Sequence, residues 1–487
     1  MKKLFAIFIC LSISILSISA ALAQGPEGDW VSSISCQNLD QSNAAEITLT
    51  FYSNVDGSIA AIYNDTITAG SSRNYDTTDA ALNVPVDFSG SVVVSSLKPV
   101  VCTVNTQKSG SGTSEDPYRI ASSSGLDELE VASTIYAPQI MKTYFGWSSY
   151  LSVQNASDSP VTIQITYKNR EGNDIADATE SATIPSHSNA LFYQTANEGL
   201  TDAFIGAAKV SVTSPVEGEI AAVVHFYNVG DDASTSQFHS YNGLSGGATK
   251  LYLPRVVRLF YGYNSGVTIQ NISDVATTVT ITFNFDENTY VYNSDTISPN
   301  TALFLYLPDV AELDEVDSFA IGKRFGNAIV VTDNAEASIV GIVNEDNRGN
   351  TSHNDGNPIP EERIGQGSTY SAIPAGSETV QLFFPQVMNN VDGIFSGGFF
   401  FSNISGQAGF CEIHFTGVPE AKIDDFDMAV NESKSYYAPN IANLPDGFNS
   451  SVRVHCNVEV IGIQNFAADP GTGKVGDSFT QNNGFNK

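Results

Sequence analysis

Val153-Gln-Asn155 closes an alternating apolar run, and Pro160-Val-Thr-Ile-Gln-Ile-Thr-Tyr167 follows it. Apolar residues at every second position, bounded by Asn, Ser, Asp and Pro, read as two half-buried strands joined by a turn. The passage recurs. Cys36-Gln-Asn38 precedes Ala45-Glu-Ile-Thr-Leu-Thr-Phe-Tyr52, Ile269-Gln-Asn271 precedes Thr278-Val-Thr-Ile-Thr-Phe283, and Phe401-Ser-Asn403 precedes Gly409-Phe-Cys-Glu-Ile-His-Phe415. The anchor asparagines lie 117 (155 − 38), 116 (271 − 155) and 132 (403 − 271) residues apart, too far for a solenoid unit and right for a domain.

Other strands repeat in the same order. Gly206-Ala-Ala-Lys-Val-Ser-Val-Thr-Ser-Pro215 is answered by Gly90-Ser-Val-Val-Val-Ser-Ser-Leu-Lys-Pro99, Gly326-Asn-Ala-Ile-Val-Val-Thr332 and Asn449-Ser-Ser-Val-Arg-Val-His455. About seven or eight such strands per unit, with no long 3.6-period segment, predict an all-β chain. The expected architecture is four tandem immunoglobulin-like antiparallel β-sandwiches over residues 24–133, 134–249, 250–380 and 381–487, strung one after another. Copies two to four open with Ile135-Tyr-Ala-Pro138, Leu251-Tyr-Leu-Pro254 and Leu382-Phe-Phe-Pro385, and copy one lacks this strand. Residues 307–316 read as one or two helical turns. The polar stretches 106–133, 230–249 and 346–378 read as linkers, and the Asn/Gly-rich part of the third as an exposed loop.

Lys2 and Lys3, the apolar residues 4–18 and Ala21-Leu-Ala23 read as a secretory signal peptide over residues 1–23. No later stretch reaches the ~18 uninterrupted apolar residues of a spanning helix. The expected location is secreted, extracellular or cell-surface, with no membrane span. The net charge of −31, from 53 acidic and 22 basic residues, repels nucleic acid and anionic membranes and attracts divalent cations or basic surfaces. Beyond the signal remain Cys36, Cys102, Cys411 and Cys456, two in each terminal copy. Export predicts the disulfides Cys36–Cys102 and Cys411–Cys456.

Catalytic signals are poor, and no enzyme is expected. Gly243-Leu-Ser-Gly-Gly247 fits G-x-S-x-G, but a strand rather than a helix follows Ser245. Gly476-Asp-Ser478 is similar to the opening of some esterases, yet no helix stands behind it. The six histidines share no repeat position. Asp424, Asp425 and Asp427 with Glu432, and Asn344-Glu-Asp346 with Asp355, offer the clustered hard oxygens that calcium prefers; calcium is the one cofactor they suggest. Tyr144-Phe-Gly-Trp147-Ser-Ser-Tyr150 and Leu259-Phe-Tyr-Gly-Tyr263 could make a sugar platform, although recurrence at one repeat position favours packing. Asn155, Asn271 and Asn403 satisfy N-x-[ST], but Asn38-Leu-Asp40 in copy one favours a turn at this place over a glycan.

These motifs together resemble the tandem β-sandwich repeats of exported bacterial cell-surface proteins, mostly of unassigned function. The resemblance covers nearly all of the chain after the signal, implies fold rather than activity, and carries no catalytic residues. Two function classes follow. The first is a non-enzymatic extracellular structural or adhesive protein, a surface-layer, sheath or filament component, because repetition gives length and surface. The second is a binding module for carbohydrate or calcium-bridged partners. The expected partners are further copies end to end, through an unpaired sheet edge on an end domain, or other cell-surface components.

Overall fold

The computed structural model describes Pro26 and residues 28–228, 235–353 and 356–487; the expected signal peptide lies outside them. Repeat 1 carries β1 (Trp30–Asn38), β2 (Ala45–Ser53), β3 (Ile59–Ile67), β4 (Ser72–Asp76), β5 (Gly90–Ser96), β6 (Val100–Lys108) and β7 (Tyr118–Ser124). Repeat 2 carries β8 (Thr134–Lys142), β9 (Trp147–Asn155), β10 (Val161–Asn169), β11 (Glu180–Ile184), β12 (Asn189–Tyr193), β13 (Phe204–Ser214), β14 (Ile220–Asn228) and β15 (Gln237–Asn242). Repeat 3 has β16 (Lys250–Val257), β17 (Asn264–Asn271), β18 (Val279–Phe285), β19 (Asn288–Asn293), β20 (Ala302–Tyr306), β21 (Phe325–Thr332), β22 (Ile339–Asp346) and β23 (Gly367–Ser371). After β24 (Ile373–Pro374), repeat 4 has β25 (Thr379–Asn389), β26 (Phe395–Asn403), β27 (Gly409–Phe415), β28 (Ile423–Met428), β29 (Ser433–Tyr437) and β30 (Phe448–Ala468). It ends with β31 (Gly476–Asp477), β32 (Thr480–Asn483) and β33 (Phe485–Asn486). Among the described residues helical structure is confined to 3₁₀ segments, including Leu307–Asp309 and Ala311–Ser318 where turns are expected, and no helix is long and apolar enough to cross a membrane.

The period-two pattern places alternate residues of each strand inside. In β10, Val161, Ile163, Ile165 and Tyr167 are buried and the residues between them face outward. Repeat 2 pairs its strands β11-β10-β13-β8 and β12-β9-β14-β15, with all neighbours antiparallel. Repeat 3 follows with β19-β18-β21-β16 and β20-β17-β22-β23. Repeat 1 matches one sheet as β4-β1-β6-β7, but the other is only β3-β2-β5. In repeat 4 the single 21-residue β30 serves both sheets: Phe448–His455 lies between β25 and β27, and Val460–Ala468 between β26 and β32. Repeat 2 breaks the corresponding path at Ser214-Pro215 and Gly218, whereas no Gly or Pro interrupts β30 before Gly462.

The anchor asparagines hold each repeat shut at one end. Asn155 is fully buried at the end of β9, and its Nδ2 donates to Ser159 O at 2.8 Å, Ile184 O at 3.1 Å and Pro185 O at 3.0 Å, while its Oδ1 accepts from Ser157 N. It thus ties the turn into β10 and the end of β11, in the opposite sheet, to β9. Asn38, Asn271 and Asn403 make the same set of bonds to Asn43, Ile67 and Thr68, to Val275, Ile297 and Ser298, and to Gln407, Met428 and Ala429. The turn reading of these sites is correct, and a buried amide with its donors engaged is closed to glycosylation in the folded chain.

The repeats do not string out. Repeat 1 touches repeat 4 as well as repeat 2: Asn105 Nδ2 donates to Gln386 Oε1 at 2.7 Å, Thr416 Oγ1 to Gly70 O at 2.9 Å, and β31 pairs in parallel with β7. The four repeats form a closed ring around an axis made of their last strands, β7, β15, β23 and β32. The polar stretches that read as linkers supply three of these strands. All of β15 except Asn242 is buried, and all of β23 is. Bonds run round the ring from Asn242 Nδ2 to Ser124 O (2.8 Å), Ser371 Oγ to Asn242 O (3.2 Å) and Asn483 Nδ2 to Ser371 O (2.9 Å). Asp477 is the hub. Fully buried, it accepts Phe238 N of repeat 2 and Gly367 N of repeat 3, each at 2.9 Å, while its own strand pairs with repeat 1.

Both expected disulfides are present, each joining directly paired residues of adjacent strands within one sheet. The closed segments span 66 and 45 residues, so each bridge should stabilise the chain by about 4 kcal/mol through restriction of the unfolded state. Cys36→Ala/Cys102→Ala should lose about that much in urea denaturation, and non-reducing peptide mapping should recover only these two pairings. Asn155→Asp keeps shape but turns a donor toward carbonyls into an acceptor; it should cost about 3 kcal/mol at pH 7 in the same assay, more than surface Asn→Asp changes.

Candidate functional site

A cleft of about 940 Å³ opens between repeats 2 and 3. One wall is the β8–β9 hairpin, where Tyr144 and Trp147 pair across a turn carrying Phe145 at its tip. Phe145 holds φ 48° and is 77 % exposed, with its ring edge-on to Tyr144. The same hairpin in repeat 3 places Tyr261 at φ 49°, so the backbone shape belongs to the repeat and only the displayed side chain is particular. The facing wall is β20, whose Ala302-Leu-Phe-Leu-Tyr306 is apolar at nearly every position and presents Phe304 and Tyr306 to the cleft, with Tyr292 of β19 beside them.

Two arginines bridge the walls. Arg170 of repeat 2 lies 4.6 Å over the Phe304 ring, and Arg348 of repeat 3 lies 5.8 Å over Trp147 and donates to Phe145 O at 3.1 Å. The floor is a satisfied polar network: Gln139 Oε1 accepts from Thr268 Oγ1 and Asn344 Nδ2, each at 3.0 Å, and Asn344 Oδ1 accepts from Thr369 Oγ1 at 2.6 Å. Gln139 follows Pro138, where the β8 register slips against β13 and re-aims the chain. Asp309, Glu312 and Asp346 supply carboxylates at the rim. Burial pushes the Asp346 carboxyl up to about 6, opposed by the backbone N–H and charge of Arg348. Burial, with the negative charge of Asp346 and Asp309, also raises the Tyr306 hydroxyl. Aromatic faces with convergent arginines, amides and carboxylates can hold a ring that is apolar on its faces and polar at its edge.

The other candidates are dispersed. Asp424, Asp425 and Asp427 lie exposed along the edge strand β28, Asp424 on the opposite face from Asp425 and Asp427, and Asp424, 85 % exposed, pairs with Lys422 at 3.0 Å. Glu432 is engaged by Ala429 N and Lys434 Nζ. Glu345 forms a buried two-pronged bridge with Arg255 (2.7 and 2.6 Å) at the junction with repeat 4, and Asp355 lies outside the described residues. Among the described residues no three His, Cys, Asp or Glu side chains converge as a metal site, because neighbours on a strand point to opposite faces. Asp477 and Ser478 are fully buried in the axis. Ser245 lies between β15 and β16 at the rim of an axial cavity of about 660 Å³ lined by all four repeats. In the Leu259–Tyr263 cluster, Tyr263 packs against Phe479 of repeat 4 as a junction residue, whereas Tyr144, Phe145 and Trp147 face the cleft.

A comparison with protein-family models and with curated proteins finds no match to the chain.

Asp346 gives the cleft a measurable pH signature. Its folded-state pKa lies above the ordinary 3.8, so the neutral form stabilises the fold at low pH and that contribution is lost as pH rises through about 6. Asp346→Asn should therefore be more stable than the parent by about 3 kcal/mol above pH 7, with the difference shrinking to about 0.5 kcal/mol at pH 4. Urea denaturation across pH 4–8 checks both limbs.

Proposed function

We propose that this chain is an exported, non-enzymatic binding protein built of four immunoglobulin-like sandwiches, and that its cleft between repeats 2 and 3 holds a segment of neutral carbohydrate. The observation that carries this reading is the pairing of an exposed aromatic, Phe145, with Phe304 and Tyr306 across a cleft whose polar groups come from Arg170, Arg348, Asn344 and Asp346. Sugar rings offer apolar C–H faces to aromatics and hydroxyls to charged side chains. A net charge of −31 disfavours anionic polymers, which selects neutral glycans. The two disulfides, and the lack of a helix able to span a membrane among the described residues, are consistent with an extracellular setting. Adhesion to a glycan-bearing surface follows. A ring closed on itself gives less length than a string, so the adhesive form of the reading is favoured over a sheath or filament.

Affinity electrophoresis through gels containing cellulose derivatives, xylan, α-glucan or soluble chitin tests it. At least one neutral polymer should retard the chain, and Phe145→Ala and Phe304→Ala should each weaken binding about tenfold, about 1.4 kcal/mol, without changing the melting temperature. Mobility unaffected by every polymer, or variants that bind like the parent, would refute the reading.

A further inference from the structure

The three-stranded sheet of repeat 1 ends at β5, and among the described residues no strand lies on its free side. In the other repeats that place is taken by β8, β16 and β25. Ile135 and Ala137 stand opposite Val210 and Ala208, Leu251 and Leu253 opposite Val330 and Ala328, and Leu382 and Phe384 opposite Val454 and Val452. Each of these residues is at most 2 % exposed. A proline follows each apolar pair, Pro138, Pro254 or Pro385, where the register slips, so its missing N–H falls at a bulge and costs no ladder bond.

Val94 and Val92 hold the corresponding positions in repeat 1, opposite Leu49 and Phe51, yet both are only half-buried. Across the sandwich Cys102 and Val104 are half-buried too. The edge carries none of the usual protections: Gly90-Ser-Val-Val-Val-Ser-Ser96 has no charge, no proline and no bulge. Repeat 2 reaches only its beginning, where Ser91 Oγ donates to His187 O.

We propose that β5 is an acceptor site for an extended strand supplied by another polypeptide, of the pattern apolar-x-apolar-Pro, whose two apolar side chains seat opposite Val94 and Val92 and complete the sheet. The occupied copies of this position define what fits, and main-chain bonding along an open edge provides the affinity. Basic or neutral flanks suit a chain of net charge −31, as Lys142 ends β8 and Lys250 and Arg255 flank the apolar pair of β16.

The probe is a fluorescent peptide of sequence Thr-Ile-Tyr-Ala-Pro-Gln-Ile-Met-Lys, that of residues 134–142, titrated into the chain beginning at Gln24 and followed by anisotropy. Saturable binding is expected, weakened at least tenfold when the peptide's Ile and Ala are replaced by Asp. Grafting a copy of residues 134–146 in front of Trp30 fills the site in cis; this variant should melt at a higher temperature and no longer bind the peptide. Absence of peptide binding together with an unchanged melting temperature in the graft would overturn the proposal. So would a dimer of the parent, seen by sedimentation and abolished by the graft, because the occupant would then be a second copy of this chain.

Discussion

A buried carbonyl needs a donor, and at one end of every repeat three carbonyls converge where strands of opposite sheets meet. The asparagine amide at Asn38, Asn155, Asn271 and Asn403 meets that need each time. A hydrophobic residue here would leave the carbonyls unpaired, and a carboxylate would oppose them. The rest of the repeat is arranged around this clamp: the following turn begins from it, the register of the next strand is set by the turn, and that register decides which residues enter the core.

The ring obeys a second constraint. Each last strand packs against the last strands of the neighbouring repeats, and its side chains also line the axial cavity. Four equivalent strands that meet around an axis cannot all be large and apolar. They carry Ser122, Ser240, Thr369 and Gln481 at one level and Ser124, Asn242, Ser371 and Asn483 at another, and these bond to the neighbouring repeat's backbone or side chains, Thr369 through His239 Nδ1. Asp477 joins three repeats at the bottom of this system, and its burial raises its carboxyl well above the ordinary carboxylate range. His239, 3.6 Å away, is pushed down to about 3 by the same burial.

What the sequence discloses is what local chemistry controls. Strand order, the Asn turns and the cysteine pairing are written in period-two patterns and short spacings, and they are legible. The ring is not, because a strand that is buried by other repeats looks like a polar linker when read alone: Gln237-Phe-His-Ser-Tyr-Asn242 has the composition of a loop. Its match to Ser478-Phe-Thr-Gln-Asn-Asn483 is the signal that both are structural. The cleft is half legible. The aromatics at Tyr144 and Phe145 stand out, but the equivalent Phe260 and Tyr261 stand out equally, and only the neighbour each repeat meets separates platform from packing. Arg170 and Arg348 carry no motif. The acidic run at Asp424 misleads because closeness along a strand is not convergence in space.

Closure of the ring has a bearing on how the chain folds. Residues 476–483 supply the hub carboxyl and the fourth axial strand, and their partners lie in repeats 1, 2 and 3. The strands within each repeat can pair among themselves, but the axis between the repeats stays incomplete until residues 476–483 are in place, and the contacts that complete it are among the most distant in sequence. Until residues 476–483 dock, the first three repeats lack the partner they share, so the ring closes in one concerted step and not repeat by repeat.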